Sequence, residues 1–91
     1  MPRIKGNELF TRSLEELERR LSPRRAGEAL HMAVTQVGAT PENVTLGHLG
    51  RAGDLSLPQA LAPHCEPDEA QEICTDLARL LDELAGEYFR G

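Results

Sequence analysis

At 91 residues, 40% of them hydrophobic and 27% charged, the chain has material for one modest core and no second one, so a single helical domain over residues 1–91 is expected. Its only aromatic residues are Phe10, Tyr88 and Phe89, too few for a platform that stacks bases, and a net charge of -5 opposes general attraction to nucleic acid or anionic lipid. There is no run of about 18 apolar residues to span a membrane and no leading apolar stretch of about seven to act as a secretory signal, which gives the expectation of a cytoplasmic protein without membrane contact.

Residues 1–8, with Arg3 and Lys5, read as a basic arm. Phe10, Leu14, Leu17 and Leu21 then recur at spacings of four, three and four, a helical seam. Ser13 and Glu16 have the form of a capping box, which sets the start of the regular helix at Ser13. The seam covers only about 60° of a helical wheel, the narrow stripe of a coiled-coil-like contact with a single partner. Ser22-Pro23 caps and opens a second helix, whose face of Ala26, Ala29, Leu30, Ala33, Val34 and Val37 ends at Gly38, a natural stop.

From Ala39 to Glu66, three glycines and three prolines leave room only for short helices. One would open at Thr40-Pro41 and bury Val44, Leu46 and Leu49; another, with capping-box spacing at Ser56 and Gln59, would bury Leu57, Ala60 and Leu61. Pro67 opens the longest helix, to about Ala85, with Glu66, Asp68 and Glu69 at its positive end. Its apolar arc of Ala70, Ile73, Cys74, Leu77, Ala78, Leu80, Leu81, Leu84 and Tyr88 spans roughly 160°, wide enough to meet two layers. No window alternates long enough for a strand. The fold expected is a compact all-α bundle of four to five helices, with short helices in the middle and the long C-terminal helix as its spine.

Charge is unevenly spread. Residues 1–25 hold seven of the ten basic side chains against four acids, a local balance of +3, and the remainder carries -8. Such halves can attract each other within one chain or between subunits. Cys65 and Cys74 lie nine residues apart, roughly 13 Å along a helix, too far for an internal bridge; two thiols suit a reducing compartment.

Four constellations bear on function. Glu28-Ala-Leu-His31 has the Glu-x-x-His spacing of carboxylate-bridged metal sites, with Glu72 or Glu69 as a further ligand, but both residues fall opposite the apolar face of their helix. His48, His64, Cys65 and Cys74 lack zinc-ligand spacing, and Cys65 at a helix N-terminus is a candidate redox-sensitive thiol. Ala33 to Leu49 resembles the spacing of a helix-turn-helix, with Asn43 and Thr45 as base contacts and Arg19, Arg20, Arg24 and Arg25 as phosphate contacts; Gly47 takes the place of an apolar anchor there. Glu69, Glu72, Asp76 and Glu83 form an acidic strip suited to a basic partner. Phosphate loops, nucleophile elbows and dinucleotide fingerprints are absent from the sequence.

The reading that follows is a non-enzymatic, cofactor-free interaction or regulatory module. It would bind a protein partner through helical faces and form a homodimer through Phe10, Leu14, Leu17 and Leu21. The alternatives are a helix-turn-helix-like DNA-binding regulator and a helical metal- or ligand-binding protein built on Glu28 and His31.

Overall fold

The computed structural model describes residues 6–89, with side chains through Glu87, and among these residues the chain is helix and turn without strand. Helix α1 (Glu8–Glu18) opens at Asn7, whose Oδ1 accepts from the Phe10 N–H at 2.9 Å and whose Nδ2 donates to the Val44 carbonyl at 2.8 Å. The Asn7 N–H also donates to the Pro41 carbonyl, so one residue both caps α1 and ties it to the turn at residues 41–44. This corrects the expectation of a helix starting at Ser13 and of an arm reaching residue 8. Arg3 and Lys5 lie outside the described residues. Ser13 sits mid-helix, where Ser-x-x-Glu occurs without any cap, and it is fully buried.

Helix α2 (Pro23–Gln36) follows the sequence reading closely. The Ser22 hydroxyl accepts from the Arg25 N–H, Pro23 takes the first turn, and Gly38 ends the helix at φ +85°, a conformation that costs a side chain dearly. The Ala39 N–H returns to the Val34 carbonyl at 3.0 Å, satisfying a terminal acceptor in the manner of a Schellman motif.

The middle segment differs from expectation. Helix α3 (Leu46–Arg51), a π-helical stretch (Ala52–Ser56) and helix α4 (Leu57–Leu61) form one continuous helical run. Its cap is Thr45, not Thr40-Pro41: Thr45 Oγ1 accepts from the His48 N–H and His48 Nδ1 accepts from the Thr45 N–H. Ser56 makes no cap, and its buried hydroxyl donates to the Ala33 carbonyl of α2 at 2.7 Å. The wider π turn changes the phase of the helix. Leu49 before it, Ala52 at its first position and Leu57, Ala60 and Leu61 after it therefore all reach the core, while Leu55 is left 62% exposed.

Helix α5 (Pro67–Phe89), about 34 Å long at 1.5 Å per residue, nearly matches the 38 Å long axis of the molecule. It packs against α1, α3, the π stretch and α4, the spine role read from its wide apolar arc. Helix α1 lies against both α2 and α5. Phe10, Leu14, Leu17 and Leu21 are 0%, 4%, 0% and 7% exposed, so the α1 seam belongs to the chain's own core and offers no surface for the expected homodimer. The apolar residues alone make a narrow stripe; the buried Ser13 widens the covered arc to about 100°, enough for two neighbours.

Candidate functional site

The wide apolar arc of α5 divides into two stripes. Ala70, Ile73, Leu77, Leu80 and Leu84 are buried. Cys74, Leu81 and Ala85 are only partly covered and Ala78 is exposed. These four recur at spacings of four, three and four, about 100° around the helix from the buried stripe at 3.6 residues per turn. An apolar surplus therefore exists, on the flank of α5 and not on α1.

That flank lines a groove shared with the α3–α4 run. One end is a cavity of about 430 Å³ lined by Pro58, Ala62, Cys65, Pro67, Ala70, Gln71 and Cys74. The other, of about 410 Å³, has Gly50, Gly53 and Asp54 on one wall and Thr75, Ala78, Leu81 and Asp82 on the other. Gln71 and Cys74 belong to both, so the two cavities adjoin along α5. The glycines keep it open: a Cβ on Gly50 would meet no heavy atom within 4 Å, and one on Gly53 would meet only Leu77 Cδ2, at 4.0 Å.

The electrostatics of the groove are one-sided. Among the described residues Asp54 and Asp82 are its only charged lining residues, and the nearby cations Arg51 and Arg79 line neither cavity. Burial pushes the Cys65 thiol up, and the charges of Glu69 and Glu66 push it the same way. Cys74 is also raised, by burial first and then by its neighbours Cys65 and Asp54. Both cysteines are free. Both shifts favour the neutral thiol, and the charges of Glu66 and Glu69 act on Cys65 against the lowering that a helix N-terminus provides.

The other sequence candidates are dispersed. Arg20 donates to Glu72 at 2.8 Å and to Asp76 at 3.0 Å, joining the end of α1 to α5 and neutralising part of the acidic strip, so the oppositely charged halves meet within one chain. Arg19 pairs with Glu16 and Arg24 with Glu28. Only Arg25 of the four expected phosphate contacts makes no ion pair among the described residues. Asn43 Oδ1 accepts from the Thr40 N–H, and Thr45 is engaged as the α3 cap. The two base-contact candidates thus serve local turns, and the interval from Gln36 to Leu46 exceeds the three to four residues of a helix-turn-helix. Glu28 and His31 are exposed, Glu28 and Glu72 are each bound to an arginine, and no group of three His, Cys, Asp or Glu among the described residues is placed to hold a metal. The walls contributed by Gly50, Gly53, Asp54 and Pro58 escaped sequence reasoning; the available signal was the Gly-x-x-Gly spacing, which reads as a helix breaker when its helical context is unknown.

No helix among the described residues is long and apolar enough to cross a membrane. Comparison with known proteins returns no matching family model, curated protein or solved structure.

Proposed function

We propose that the protein is a small non-enzymatic interaction module of the cytoplasm, with a regulatory role, that docks a protein partner in the groove between α5 and the α3–α4 run. The observation that carries this reading is the second apolar stripe of α5, Cys74, Ala78, Leu81 and Ala85, left incompletely covered beside an open glycine-lined wall. Grooves bounded by helices with apolar floors are a recurring site for helical ligands. Two free thiols suit a reducing compartment and serve as small apolar groups on the groove floor.

We take the partner to be a different protein; what supports this is that the α1 seam expected to join two copies is buried. A displayed library of helical peptides selected against the wild-type protein and against Ala78→Arg tests the reading, because the arginine places a long cation in the exposed stripe while keeping helix propensity. Amphipathic sequences should be enriched on the wild type and lost on Ala78→Arg, with thermal melts of the two proteins alike. Absence of enrichment, or equal binding to both proteins, would overturn it.

A further inference from the structure

Three modes of peptide recognition can be weighed against the groove. Strand addition needs a free sheet edge, and the described residues contain no strand. Capture of a polyproline segment needs an aromatic-lined groove, and no aromatic residue lines either cavity. A helix is what remains, and its dimensions fit: from Gln71 to Asp82 the groove follows α5 for about 17 Å, the rise of about three helical turns. The stripe of Cys74, Ala78 and Leu81 gives such a helix ridges to pack between, and the bare wall at Gly50 and Gly53 lets its backbone come close.

Charge selects among helices. Asp54 stands on one wall and Asp82 on the other, neither makes an ion pair among the described residues, and the groove end at Cys65 lies in the field of Glu66 and Glu69. A partner with acidic flanks would meet like charge on both walls, whereas one with lysine or arginine on its flanks would meet opposite charge on both. Resting on the docking role proposed above, we infer that the occupant is a basic amphipathic helix of about three turns, its apolar stripe on α5 and its cationic flanks against Asp54 and Asp82.

Three designed peptides of about 12 residues, sharing one leucine and alanine stripe and differing only in lysine, glutamine or glutamate flanks, test this in a fluorescence anisotropy titration of the full-length protein. The lysine peptide should bind about fivefold more tightly than the glutamine one at low salt, the gain of a few partly exposed ion pairs, and the glutamate peptide should bind most weakly. That preference should vanish in Asp54→Asn with Asp82→Asn and shrink between about 0.05 M and about 0.5 M salt. Equal binding of the lysine and glutamine peptides, or a lysine preference that survives the double substitution, would overturn the inference about charge while leaving the groove as a docking site. Failure of all three peptides to bind would overturn both.

Discussion

Leu17→Ala is the substitution that best separates a core role for the α1 seam from an interface role. Leu17 is completely buried in the isolated chain, on α1, a helix that packs against both α2 and α5. Truncating it to alanine removes its packing and leaves a cavity that a helix held on two sides closes poorly, a loss of about 3 kcal/mol. A domain of this length is stable by about 5–13 kcal/mol, so the substitution removes a large fraction and lowers the melting midpoint by roughly 12–24 °C. Far-UV circular dichroism at several protein concentrations reads this directly, since the chain has no tryptophan and its signal is helical. The wild-type midpoint should not move with concentration, as it would for an obligate dimer. A loss below about 1 kcal/mol, the value expected of a surface site, or a wild-type midpoint that climbs with concentration, would refute the reasoning. The double change Leu14→Glu with Leu17→Glu should unfold the chain outright, because two carboxylates would be buried without partners, whereas a seam between subunits would yield a folded monomer.

Ser13→Ala should raise stability by about 1 kcal/mol in a urea titration, because the buried Ser13 hydroxyl has no hydrogen-bond partner among the described residues and its removal relieves an uncompensated desolvation; a loss instead would mean that the hydroxyl is satisfied in solution. Gly50→Ala should stabilise by roughly 0.5–1 kcal/mol through helix propensity, since its Cβ enters open space, while Gly38→Ala should destabilise by about 1 kcal/mol or more, because its φ of +85° strains any side chain. Equal effects of the two would contradict the assigned backbone. The raised thiols of Cys65 and Cys74 set a pH dependence of known sign. The unfolded thiols ionise first, near pH 8.5, so their contribution is complete below that value and is lost as pH rises through the folded-state values. The urea midpoint should therefore fall more steeply above about pH 8.5 in the wild type than in Cys65→Ser with Cys74→Ser, and matching profiles would argue against raised, partly covered thiols.

Where local chemistry decides, the sequence was legible. Ser22-Pro23 and Gly38 bound α2 as read, Pro67 opens α5, and the wide apolar arc identifies the spine. Errors arose where one pattern serves two purposes. Ser13 with Glu16 and Ser56 with Gln59 both have capping-box spacing, yet Ser13 is buried mid-helix and Ser56 donates across to α2, while the true caps, Asn7 and Thr45, lie outside those pairs. A side chain's choice between its own helix end and a neighbouring carbonyl depends on which element lies alongside, and that is a tertiary fact. The same limit hid the groove. The apolar residues of α5 were visible as one arc, but its division into a buried and an open stripe is set by where the α3–α4 run lies, and the π stretch that positions that run has no periodic signature.

The most direct measurement is a titration of isotopically labelled protein with the lysine-flanked helical peptide, followed by amide chemical shifts. The account predicts that the largest changes fall on Gly50, Gly53, Asp54, Cys74, Ala78 and Leu81, with α1 and the exposed face of α2 unmoved. Shifts centred instead on Arg24, Arg25 and His31 of α2 would contradict it, since the docking surface would then lie on the opposite side of the chain's charge distribution from the acidic groove.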